Sequence, residues 1–154
     1  MNDGESSSLD AALDQALLAN ADDIKKYGVV LQREALDMAR MPSEPLAKLM
    51  SQLVNNAIKF SRSEDVPKIE IGPLNDTESG EIGFYIRDNG IGIALHYSKR
   101  IFGVFERLHT EQDYEGNGIG LAICRRILDE YDGRIVLVSE DGAGAEFRVY
   151  LPAV

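Results

Sequence analysis

Asp88-Asn89-Gly90-Ile91-Gly92-Ile93 sets a carboxylate just ahead of two glycines, and Gly116-Asn117-Gly118-Ile119-Gly120-Leu121 repeats the glycine spacing further on. Upstream of both lies Leu53-Val54-Asn55-Asn56-Ala57-Ile58-Lys59-Phe60, a helical run with two asparagines inside it. A carboxylate fixed at Asp88 can accept from the exocyclic amine of adenine. Guanine would set oxygen against oxygen there, a large penalty once water is excluded. Gly90 and Gly92 let backbone approach a flat base with no β-carbon in the way. Asparagine is a poor helix former, so two in succession need a reason. An amide oxygen is a neutral hard ligand for Mg²⁺, usable beside phosphates without adding negative charge. Lys59 shares the helix face of Asn56 and can reach a phosphate oxygen, and Phe60 can pack against a base.

Gly116, Gly118 and Gly120 lead into a helix whose first turn has unbonded amide hydrogens and the positive end of the helix dipole, a seat for phosphates. Between the glycine runs, Ile101-Phe102-Gly103-Val104-Phe105-Glu106-Arg107 precedes a polar arc, His109 to Glu115. This reads as a lid pinned by Phe102 and Phe105, with Arg107 neutralising a γ-phosphate. Each element alone has a plainer reading: an Asn-Gly hairpin turn, two solvent-facing asparagines beside a surface lysine, an ordinary long loop. A hairpin, however, needs a strand directly after Gly90, and Ile91 to Ile93 runs instead into Ala94-Leu95-His96-Tyr97. In this order the three elements predict one pocket for ATP with Mg²⁺.

The elements that must position these residues follow from hydrophobic spacing. Residues 1 to 8, ending in Ser6-Ser7-Ser8, have linker composition and are expected to form a tail outside the domain at 9–154. Leu9, Ala12, Leu13, Ala16, Leu17 and Ile24 recur at helical spacing, and Gly28 hands over to a short strand at Val29-Val30-Leu31. Pro42 and Pro45 suit the start of a second helix, with Ser43 as its cap and Leu46, Leu49, Leu53, Ala57 and Phe60 on its buried face. Lys68 to Ile71 and Ile82, Phe84, Ile86 alternate as two strands of a hairpin around a polar turn at Asn75 to Gly80. Ile119, Ile123 and Ile127 mark a last helix that Asp132-Gly133 ends. Ile135 to Val138 and Phe147, Val149, Leu151 give two further strands joined through Gly142 and Gly144, and Pro152 closes the domain. The sum is an α+β two-layer sandwich, a mixed sheet covered on one face by helices.

Composition narrows the function. With 154 residues and 44% hydrophobic content, the chain fills one core. Sixteen basic against 26 acidic residues give a net charge of −10, which repels a nucleic-acid backbone and requires an ATP site to supply its own cation and placed basic groups. The one cysteine, Cys124, excludes an internal disulfide and reads as a small core residue. No run approaches the ~20 apolar residues of a membrane helix, so a cytoplasmic domain without membrane contact is expected.

These residues resemble the ATP-binding catalytic domain of sensor histidine kinases, in the superfamily shared with DNA gyrase, Hsp90-type chaperones and MutL. The similarity covers roughly Leu46 to Leu151. Phe105 to Thr110 and Gly118 to Arg126 look most like phytochrome-type kinases. The resemblance implies the Bergerat-type ATP-binding fold, with Asn56 on Mg²⁺, Asp88 on the adenine amine, and Lys59 and Arg107 on phosphates. The glycine runs, the second of them Gly116, Asn117, Gly118, Ile119, Gly120 and Leu121, would hold the nucleotide's two ends, and Gln52, Asn55, Phe60, Gly90, Gly92, Ile93 and Phe102 are expected to line it.

Two positions depart from the pattern. Hydrolytic relatives carry a water-activating glutamate four residues before Asn56, where this chain has Gln52; an amide cannot take that proton. Most histidine kinases have asparagine there, and the longer Gln52 can still reach Mg²⁺ through water. Asn117 replaces a commoner threonine. The phosphate-accepting histidine of such kinases lies on a dimerising helical hairpin, and neither His96 nor His109 has its sequence context. The implied partners are therefore a separate dimerisation and histidine-phosphotransfer domain and a downstream response regulator. A nucleotide-poor pseudokinase or docking module of the same fold is the rival reading. An anti-sigma-type serine kinase fits less well, because those relatives keep the carboxylate that Gln52 replaces.

Overall fold

A computed structural model describes residues 5–61, 66–89, 117–139 and 144–154. Chain order is β1 (Ser7–Ser8), α1 (Leu9–Ala19), α2 (Ala21–Tyr27), β2 (Val30–Arg33), β3 (Met38–Ala39) and α3 (Ser43–Ser61). There follow β4 (Lys68–Pro73), β5 (Glu81–Asp88), α4 (Asn117–Glu130), β6 (Arg134–Ser139) and β7 (Ala145–Pro152). Among the described residues, five strands form one sheet in the order β2-β4-β5-β7-β6, with β2 parallel to β4 and the other pairings antiparallel. The expected two-layer α+β architecture with a mixed sheet is what the chain adopts.

Alternation decides which face of the sheet is buried. Ile69, Ile71, Phe84, Ile86, Phe147, Val149 and Leu151 point to the core, and the register sets Ile71 beside Ile86 and Ile86 beside Phe147. The other face carries Glu70, Arg87, Glu146 and Arg148, linked by ion pairs. Above the core face lies α3, with α1 and α4 packed against it. That central position explains why α3 buries residues around most of its circumference, from Leu46 to Ser61.

Helix ends follow local chemistry. The single helix expected over 9–24 is broken at Asn20, whose backbone amide and side-chain Nδ2 both bond the Ala16 carbonyl, so that α1 and α2 meet at an angle. Gly28, at φ 64°, ends α2. The first residue of α3 is Ser43 itself, and the carbonyl of Pro42 accepts from Leu46 N. At the end of α4 the left-handed residue is Asp132 (φ 61°), and Gly133 N bonds the Leu128 carbonyl. Gly133 is required for space: an added β-carbon would meet Leu128 Cδ2 at 2.6 Å and the Tyr150 carbonyl at 3.0 Å.

Ser7 and Ser8, read from sequence as part of a tail, belong to the fold. They pair with Ala39 and Met38, Ser7 Oγ donates to the Met41 carbonyl at 2.7 Å, and Ser8 caps α1 through Ala11 N. Linker-like composition hid this because hydroxyls suit caps as well as linkers. Among the described residues, no helix is long and apolar enough to cross a membrane.

Candidate functional site

The sheet has two ends, and connectivity assigns three elements to one of them. Asp88 ends β5, opposite Ile69 at the start of β4. The helix α3 enters from the far end, where Arg40 N bonds the Pro152 carbonyl and Ala39 bridges Ala153. It runs about 28 Å, matched to the roughly 27 Å of β5, and its last residue Ser61 leads within a few residues to β4. The C-terminal turns of α3, with Asn56 and Lys59, therefore reach the Asp88 end. In the opposite direction, α4 finishes at Gly133 beside Tyr150, at the far end, and runs antiparallel to α3. Its N-terminus, which carries Gly118 and Gly120, is thus directed towards Asp88 and Asn56.

Asp88 terminates the inward row Phe84, Ile86, Asp88 and is 3% exposed. A carboxylate at the end of an apolar row is expensive, and such groups concentrate at functional sites. Asn56 is 2% exposed, and its Nδ2 has no hydrogen-bond partner among the described residues. Orphaned buried polar atoms are uncommon and cost ~1–3 kcal/mol. That nitrogen is a donor and no metal ligand; the oxygen of the same amide is the atom that would suit Mg²⁺ held mainly by phosphates and water, the usual mode for that ion. No group of three or more His, Cys, Asp or Glu able to hold a metal occurs among the described residues. Gln52 and Lys59 are half-buried, one turn to either side of Asn56 on its face.

Two of the expected nucleotide-lining side chains have protein neighbours in this structure. Asn55 Nδ2 donates to Asn20 Oδ1 at 3.1 Å, and Asn20 Nδ2 bonds the Ala16 and Ser51 carbonyls at 2.9 and 3.4 Å. Adjacent helical residues diverge by ~100°, so Asn55 serves the α1–α3 contact while Asn56 turns away from it. Phe60 lies in the hydrophobic core, where its ring packs against protein.

Sequence reasoning missed Asn20, and it read Asn89 only as part of a turn. Asn89 Oδ1 accepts from Lys68 N at 2.9 Å, and its Nδ2 donates to the Val66 carbonyl at 3.0 Å. Gly90, Gly92, Ile93, Phe102, Arg107 and Gly116, together with the proposed lid and both histidines, lie outside the described residues. For Asn117, Gly118, Ile119, Gly120 and Leu121 the helical backbone alone is described. Cys124 is buried in α4, and burial pushes its thiol up to about 12, as befits a core residue.

Comparison with known proteins shows the family and the fold. The family described as "Histidine kinase-, DNA gyrase B-, and HSP90-like ATPase" matches residues 42–154. Cyanobacterial phytochrome A of Nostoc sp. is 42% identical over 144 residues, 94% of this chain and 18% of the relative. The methanogenesis regulatory histidine kinase FilI of Methanothrix harundinacea is 32% identical over 99% of this chain and 17% of its own length. The chain thus spans under a fifth of these curated relatives. Among solved structures, the catalytic domain of histidine kinase ThkA superposes with TM-score 0.78 at 22% identity, covering 96% of this chain and 94% of that one. Mycobacterial sensor histidine kinase MprB gives 0.79 at 18% identity, covering 97% of each chain. With the family matched over most of its length and close kin among phytochromes and histidine kinases, the chain belongs to the histidine kinase-, DNA gyrase B- and HSP90-like ATPase family.

Proposed function

We propose that this chain is the catalytic module of a two-component sensor histidine kinase, binding Mg·ATP and donating the γ-phosphoryl group to a histidine on a separate dimerisation domain. The observation that carries this reading is the assignment of a buried Asp88 carboxylate and a buried Asn56 amide to one end of the sheet, towards which the N-terminus of α4 is directed. Full-length ShkA, a similar fold at 21% identity, was solved in complex with the ATP analogue AMPPNP, which is in keeping with this reading.

In this reading Asp88 accepts from the adenine amine and selects against guanine. Asn56 would hold Mg²⁺ through its amide oxygen, Gln52 would assist through water, and Lys59 would donate to a phosphate oxygen. Amide hydrogens in the first turn of α4 receive phosphate oxygens, and Arg107 adds charge at the γ-position. Bound Mg²⁺ supplies neutralisation of the triphosphate. An imidazole nitrogen then attacks phosphorus in line as the bond to the ADP oxygen breaks. The protein contributes mainly alignment and charge compensation. Gln52 cannot act as a general base for water, so hydrolysis stays slow. A response regulator would receive the phosphoryl group next, within a cytoplasmic relay.

The test mixes the chain with γ-labelled ATP and an isolated dimerisation domain from a similar kinase. Acid-labile, alkali-stable label should appear on that domain and disappear with Asn56→Ala. Steady Asn56-dependent ATP hydrolysis by the chain alone would contradict the proposal.

A further inference from the structure

Asn89 follows Asp88 directly, and its side chain reaches far along the sequence. A turn asparagine normally bonds its own backbone two residues on. Asn89 instead bonds Lys68 N and the Val66 carbonyl, 21 and 23 residues away. Val66 lies in the segment joining α3 to β4, and Lys68 is the first residue of β4. The backbone pairing of β4 with β5 stops at the Ile69–Asp88 pair, so the Asn89 amide extends the bonding one step past the end of the ladder.

A second constraint comes from the start of β7. Gly144 has φ 91°, and a β-carbon there would overlap the Asp88 carbonyl oxygen and come within 3.3 Å of Asn89 Cα. The Asp88–Asn89 backbone is therefore held between the α3–β4 segment on one side and β7 on the other. A carboxylate has only two side-chain torsions, so where its oxygens point depends on this backbone. Small misplacements of a recognition group carry large costs.

We propose that Asn89 is a positioning residue for base selection, holding the Asp88 carboxylate where it distinguishes a 6-amino from a 6-oxo purine. The inference rests on the ATP reading above. It adds a specificity role for a residue whose side-chain amide is bonded to Lys68 N and the Val66 carbonyl and would act through Asp88.

The experiment measures affinities of the full chain for Mg·ATP and Mg·ITP, whose 6-oxo group replaces the amine, by calorimetry. The unaltered chain should prefer ATP. Asn89→Ala should weaken ATP about ten-fold and ITP less than two-fold, narrowing the preference. Asn89→Asp keeps the acceptor for Lys68 N and loses only the donor, so an intermediate preference is expected. Its added charge acts on both triphosphates alike and cancels in the ratio. If circular dichroism finds Asn89→Ala unfolded, the Asn89→Asp ratio decides. Parallel weakening of both nucleotides, or an unchanged ratio, overturns the positioning role while leaving the ATP reading intact. An unaltered chain that binds neither nucleotide removes both.

Discussion

Asn55 and Asn56 are adjacent and chemically identical, yet the helix sends them to different tasks. Asn55 donates to Asn20, which donates in turn to the Ala16 carbonyl of α1, whereas the Asn56 amide keeps a buried nitrogen without a hydrogen-bond partner among the described residues. Replacing Asn55 with alanine should therefore lower stability by about 1 kcal/mol, one net hydrogen bond, and leave ATP affinity within two-fold. Denaturant unfolding and nucleotide titration of the variant check the two halves separately. A large affinity loss without destabilisation would show that Asn55 faces the nucleotide after all. Sequence alone could flag both asparagines as out of place in a helix. It could not separate them, because the deciding partner, Asn20, lies 35 residues away.

At the scale of elements, periodic patterns were legible and punctuation less so. The long strands β4, β5 and β7 alternate cleanly, and α3 carries its stripe from Leu46 to Phe60, so both were readable. The two-residue strands β1 and β3 hold too little pattern to detect, and the parallel placement of β2 depends on a partner that only the fold supplies. At Asp132-Gly133 the helix stop was visible, but the division of labour was not. Asp132 takes the left-handed conformation and Gly133 gives room. Gly133→Ala should accordingly destabilise by ~1–3 kcal/mol through overpacking against Leu128 and Leu151. Asp132→Gly, which relieves the positive φ, should be neutral or stabilising. Thermal melts of the two variants give the comparison, and equal losses would refute this assignment.

Across the whole molecule, the net charge of −10 coexists with a solvent-facing sheet surface on which charges are paired. Glu146 lies between Arg87 and Arg148, and Arg87 also reaches Glu70 at 3.3 Å. Burial raises the Glu146 pKa, but the hydrogen bonds from Arg148 and Arg87 outweigh it and hold the carboxyl below the usual carboxylate range. A lowered folded-state pKa means the stabilisation is complete above the ordinary glutamate value of ~4.3 and disappears as pH falls through the lowered one. Glu146→Gln should thus cost ~1–3 kcal/mol near pH 7 and progressively less as the medium is acidified. Melting temperatures of both proteins at several pH values check the sign, and a gap that widens in acid would reverse it.

The central claim is that Asp88 and Asn56 serve one nucleotide, the first at its base and the second at its metal-bound phosphates. Calorimetric titration of Mg·ATP into the chain, into Asp88→Asn and into Asn56→Ala tests it most directly. Micromolar binding is expected, weakened by at least ten-fold in Asp88→Asn because the amide lacks the charge and the second acceptor oxygen of the carboxylate. Asn56→Ala should retain metal-free ATP binding and lose the enhancement by Mg²⁺. Absence of binding to the unaltered chain, or affinity indifferent to Asp88, would contradict the account and favour a docking module on the same fold.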